Sequence, residues 1–92
     1  MIDIRWTAEA SSNLEHIALR IAADNPEAAL RTVRMIFERI ELLATLPHRG
    51  RIGREQGTRE LVFSPLPYVA VYRVNDSAIE ILHIWHGARA RG

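Results

Sequence analysis

Cysteine is absent from this chain, and so is lysine. Without cysteine there is no disulfide and no thiolate metal site, which fits a reducing cytosol. Without lysine, all 12 basic residues are arginines. Arginine stays protonated, so any general base must be a His, Asp or Glu. No apolar run approaches about 18 residues, and Met1-Ile-Asp-Ile-Arg-Trp6 lacks the charged head and apolar stretch of a signal peptide. A soluble, cytoplasmic protein with no membrane partner is expected. A glycine-rich phosphate loop and metal-ligand spacings are missing too, so neither cofactor nor metal is expected. There is little net charge, only +1, which by itself is not the signature of a polyanion binder.

What the chain does have is apolar content of 48 % with no repeat and no low-complexity run, the composition of a folded protein. Its 92 residues suit one domain, 1–92. A domain this small buries only about 60 to 65 % of its unfolded surface.

The stretch from Thr58 to His86 organises the rest. β-Branched and aromatic residues concentrate between breakers at Ser64-Pro65, Pro67 and Asn75-Asp76-Ser77, which predicts strands over Leu61 to Phe63, Val69 to Val74 and Ile79 to Trp85. A turn centred on Asp76-Ser77 sets Val74 opposite Ile79, Arg73 opposite Glu80, Tyr72 opposite Ile81 and Ala70 opposite His83. The alternative turn would face a carboxylate with an apolar side chain, and cross-strand pairs contribute roughly 0.2 to 1 kcal/mol each. In this register Tyr72, Ile79, Ile81, His83 and Trp85 share one face of the sheet. Arg59, Arg73 and Glu80 are expected to form cross-strand ion pairs.

Upstream, Ile2 to Trp6 alternates like a short strand, and Thr7 reads as an N-cap with Glu9 in the first helical turn. Leu14, Ile17, Ala18, Ile21 and Ala22 recur at helical spacing. Asn25-Pro26-Glu27 ends one helix and starts the next, so a helical hairpin is predicted. The second helix carries Ala29, Leu30, Val33, Ile36, Phe37, Ile40, Leu43 and Ala44 inward, while Met35, Leu42 and Leu46 widen its apolar surface, which is expected to pack on a second neighbour within so small a domain, with an external contact as the alternative.

From Leu46 to Thr58 runs a long loop with three glycines and Arg49, Arg51 and Arg54, and Arg59 follows it. Loops of this length are uncommon unless mobile or functional. His83 and His86 are three apart on a strand and so point to opposite faces, which excludes a shared metal. His83 is expected to be packed and hydrogen-bonded, and His86, beside Arg89, is the better functional candidate. His16 and His48 read as surface residues.

The order strand, helix, helix, strand, strand, strand, with the words Thr58-Arg-Glu-Leu, Pro67-Tyr-Val-Ala-Val-Tyr-Arg-Val and His86-Gly-Ala-Arg89, resembles the RelE/ParE family of bacterial toxins. The resemblance implies an α+β fold, a small antiparallel sheet packed against an N-terminal α-helical hairpin. It also implies the toxin half of a type II toxin-antitoxin, or plasmid stabilisation, system, held in a hetero-oligomer with a ParD-like or RelB-like antitoxin. Met35, Leu42, Leu46, Tyr72 and Trp85 are the candidate antitoxin contacts.

Two functions occur in that family. ParE-like members arrest growth by inhibiting DNA gyrase, and RelE-like members are ribosome-dependent mRNA endonucleases. RNA cleavage needs a base, an acid and positive charge at the phosphate. This chain has no lysine and no C-terminal tyrosine, and Phe63-Ser64-Pro65 stands where a basic residue would lead into the next strand. These departures favour the ParE-like reading, with no catalytic residue and with Arg49, Arg51, Arg54, Arg59 and Arg89 as contacts to target or phosphate. In the alternative, Arg59, His83, His86 and Glu55 would cleave mRNA on the ribosome. A second alternative is an inactive toxin that retains only antitoxin binding.

Overall fold

The computed structural model describes residues 1–87, so Arg89 lies outside the described residues. Strand β1 (Asp3–Trp6) leads into helix α1 (Ala8–Ala22), helix α2 (Pro26–Glu41) and a short 3-10 turn at Leu42–Ala44. Strands β2 (Arg51–Ile52), β3 (Arg59–Val62), β4 (Tyr68–Val74) and β5 (Ala78–His86) follow. The anticipated caps are in place: Ala10 N donates to Thr7 Oγ1 and Ala28 N to Asn25 Oδ1, each at 3.0 Å. Among the described residues no helix is long and apolar enough to cross a membrane.

The sheet has the order β1-β5-β4-β3-β2, with β1 parallel to β5 and the other pairs antiparallel. Val74 faces Ile79, Arg73 faces Glu80 and Tyr72 faces Ile81, as the turn at Asp76-Ser77 predicts. Beyond that point the register departs from expectation. Val71 faces His83 and Ala70 faces Ile84, so Leu82 is an extra residue in β5. Such a bulge inverts the alternation of every side chain that follows it. Ile84 therefore joins Ile79, Ile81, Ala70 and Tyr72 in the core. His83 and Trp85 move to the opposite, open face, and Ala70 does not meet His83.

The bulge is held from α1. Thr7 Oγ1, besides capping the helix, donates to the carbonyls of Ile81 and Leu82 at 3.0 Å each, and Thr7 N donates to Ile81 O at 3.1 Å. Past the end of β1 the edge of β5 has no strand partner, and Ile84 N instead donates to Asn13 Oδ1 at 3.0 Å. Backbone groups that the bulge and the bare edge would orphan are thereby satisfied.

The core joins Ala10, Ile36, Ile40 and Leu43 to the sheet residues Leu61, Phe63, Ala70, Tyr72, Ile79, Ile81 and Ile84. Leu30 and Phe37 do not belong to it. They stand on the outer side of α2, 67 % and 45 % exposed, because the stripe that meets the sheet is the narrower Ala29, Thr32, Ile36, Ile40 row.

Candidate functional site

The arginine segment expected as a long loop is a pinned hairpin. Arg51 pairs with Glu60 and Ile52 with Arg59 across β2 and β3, and Gly57 takes a positive φ of 80° that glycine adopts at no steric cost. Beneath the hairpin sits Glu60, 5 % exposed. Its Oε1 accepts from Arg51 Nε at 3.1 Å and NH2 at 2.9 Å, and Oε2 accepts from the amide of Arg54 at 3.2 Å. Burial alone would raise the pKa of this carboxyl. The Arg51 hydrogen bonds, the Arg54 amide and the charges of both arginines outweigh it, and the pKa falls below its ordinary value. Glu60 is thus an ionised anchor.

A second clamp lies on the helix side of the same hairpin. Tyr72 is fully buried, and its hydroxyl accepts from Gly50 N and donates to Pro47 O, both at 2.8 Å. A Cβ on residue 50 would come within 2.7 Å of that hydroxyl. Burial raises the phenol's pKa, against smaller opposing effects of the Gly50 amide and the Arg59 charge. Tyr72 is therefore a neutral core residue with no surface to offer a partner, which corrects its place among the antitoxin contacts. Arg59 donates to Gly50 O at 2.8 Å and His48 O at 3.3 Å rather than to a carboxylate. Arg73 and Glu80 face each other without an ion pair: among the described residues the ion pairs are Arg51 with Glu60 and His83 with Glu9.

On the open face, His83 Nδ1 contacts Glu9 Oε2 and its ring stacks on Trp85, centroids 5.1 Å apart and 21° between planes. The Leu82 bulge and the first turn of α1 create this trio. His86 takes the other side of the sheet, meeting Tyr68 edge-on at 5.7 Å. Arg59 is registered with Tyr72 and His86 with Tyr68, which puts them four residues apart along β4, about 13 Å. Glu55 is exposed in the turn between β2 and β3, where its carbonyl accepts from Thr58. The four residues proposed for mRNA cleavage are not gathered into one site. Arg49 and Arg54 keep exposed side chains at the hairpin, and His16 and His48 are exposed as expected.

An apolar groove of about 530 Å³ opens on the outside of the helical hairpin, lined by Trp6, Leu14, Ala18, Val33 and Phe37 with Ser11 and Glu15 at its rim. Trp6 stacks on Phe37 at 5.9 Å and 11°. The signal for it was in the sequence: Leu14 and Ala18 on α1 and Val33 and Phe37 on α2 each recur at i and i+4, beside the core stripe. Of the anticipated contacts, Leu42 and Leu46 are half exposed beyond the end of α2, Met35 lies among Arg31, Arg34 and Arg39, and Trp85 is across the sheet. None of them lines the groove. Glu60 and Glu9 were missed because their partners depend on β2 and on the bulge.

The profile of the ParE toxin of type II toxin-antitoxin systems, parDE, matches residues 4–91. The chain belongs to the ParE toxin family. It is 42 % identical to the Y4kP protein of Sinorhizobium fredii over 90 % of this chain and 85 % of that one. It is 37 % identical to toxin RelE2 of Caulobacter vibrioides over 97 % and 99 %. Among solved structures, the chromosomal ParDE system from P. aeruginosa superposes with a TM-score of 0.85 at 30 % identity, covering 94 % of this chain and 96 % of that one. YafQ from E. coli shares the fold, with a TM-score of 0.69 at 15 % identity and full coverage of both chains. The α+β architecture of helical hairpin on sheet expected from the periodicities is thus the family's, and the chain is the toxin of a type II toxin-antitoxin system.

Proposed function

We propose that this ParE-family toxin arrests growth by inhibiting DNA gyrase, and that a ParD-like antitoxin neutralises it by laying an apolar segment into the Trp6–Phe37 groove. The dispersal of the groups RNA cleavage needs carries the gyrase reading. Arg59 is committed to two loop carbonyls, His83 and His86 occupy opposite faces, and the buried carboxylate Glu60 is held ionised by Arg51. An endonuclease site needs base, acid and cation within hydrogen-bond reach of one phosphate. The P. aeruginosa ParDE system supports a protein partner, and the groove offers it an apolar surface. Burial of such surface contributes roughly 25 cal/mol per Å² before the costs of association.

One observation favours a second reading, cleavage of mRNA on the ribosome. Glu9 beside His83 is the carboxylate-imidazole pairing that orients a general base, and Trp85 next to it offers a face on which a base could stack. In that reading His83, not His86, is the catalytic histidine.

Induction of the toxin alone, with DNA and protein synthesis followed by labelled precursors over the first minutes, separates the two. Early loss of DNA synthesis with inhibition of purified gyrase is expected. Immediate loss of translation, abolished by His83→Ala, would replace the gyrase reading with the ribosomal one. No growth defect would leave a chain that only binds antitoxin.

A further inference from the structure

A separate pocket of about 260 Å³ lies between α1 and the far end of the sheet. One face of α1 supplies Asn13, His16, Ile17 and Arg20, at spacings i, i+3, i+4 and i+7. The start of β4 supplies Tyr68, and the end of β5 supplies Ile84, Trp85 and His86. Among the described residues no carboxylate lines it, although the chain carries 11 acidic residues. Among the described residues its polar side-chain groups are a guanidinium, two imidazoles, a phenol, an indole N–H and an amide. Asn13 Oδ1 is occupied by Ile84 N at 3.0 Å, which leaves the NH2 end of the amide to donate. Behind these groups stand Ile17 and the buried Ile84, an apolar backing that strengthens electrostatic attraction relative to open water.

We propose that this pocket binds a small oxyanion, a phosphate or carboxylate group, with Arg20 as the fixed charge and the Asn13 amide as an oriented donor. Arg20 supplies a planar fork suited to either group. The pocket takes its sheet wall from the ends of β4 and β5 without His83, and its outer wall is α1 rather than the arginine hairpin, so it does not depend on which target the toxin attacks.

The test titrates the full chain with inorganic phosphate, and separately with acetate, at low ionic strength and fixed pH, following backbone amide resonances. Saturable shifts confined to residues 13–20, Tyr68 and 84–87 are expected with phosphate. Arg20→Ala should weaken binding by about tenfold or more, as for loss of a charge-assisted hydrogen bond. Arg34→Ala, on α2, should leave it unchanged. Asn13→Asp keeps the acceptor for Ile84 N and puts a negative charge in the pocket, so it should abolish binding in a folded protein. Acetate binding as tightly as phosphate assigns the site to carboxylates, and phosphate alone to phosphoryl groups. Non-saturable shifts, shifts centred on Arg49, Arg51 and Arg54, or unchanged affinity in both Arg20→Ala and Asn13→Asp would overturn the proposal.

Discussion

The phenol of Tyr72 and the amide of Gly50 are joined by a 2.8 Å hydrogen bond across 22 residues of chain, and this contact fixes the arginine hairpin to the core. Replacing Tyr72 by Phe keeps the ring but leaves Gly50 N and Pro47 O without their partner. Unsatisfied buried groups cost about 1–3 kcal/mol. Urea denaturation of Tyr72→Phe should show a loss in that range, with amide exchange accelerated at Gly50.

Glu60 makes stability depend on pH with a definite sign. Its folded-state pKa lies below the ordinary 4.5. The stabilisation it contributes is therefore fully present above that ordinary value and is lost as pH falls through the folded-state pKa. Denaturant midpoints taken from pH 7 to pH 3 should fall on the acid side. Glu60→Gln should lower the midpoint at pH 7 and flatten the acid slope.

Thr7 serves α1 and β5 at once. Thr7→Val keeps the shape but removes the cap at Ala10 N and the donor to Ile81 O and Leu82 O. Loss of an N-cap costs about 0.5–2 kcal/mol, and the carbonyls at the bulge add to it. Thr7→Ser should restore most of the loss in thermal melts, since it keeps the hydroxyl.

Phe37 separates binding from folding. With its ring half exposed, Phe37→Asp should change the melting temperature little and weaken antitoxin binding at least about tenfold, as expected of a central aromatic contact. Leu46→Asp, outside the groove, should weaken it far less in the same calorimetric titration. Equal effects of the two changes would place the antitoxin over the end of α2 instead.

The helical hairpin was legible because its signals are local. Thr7 and Asn25 cap, Pro26 starts a helix, and apolar residues recur at helical spacing. The turn at Asp76-Ser77 was legible for the same reason, since two or three cross-strand pairs next to a turn fix its register. The candidate site was less so. The cross-sheet partners of Arg51, Arg59 and His83 are 9, 11 and 74 residues away, and nothing in the local pattern points to them.

By itself, then, the sequence determined both helices, the strands other than β2, their order and the register beside the last turn, because propensity, capping and period act within a few residues. Only the tertiary structure decided that Leu82 bulges, since the extra residue is tolerated where Thr7 can satisfy the freed carbonyls. That one insertion sends Ile84 inward and turns His83 and Trp85 to the open face beside Glu9. A period-two reading of β5 cannot contain it, because the residue that breaks the period is stabilised by a helix cap that is remote along the chain.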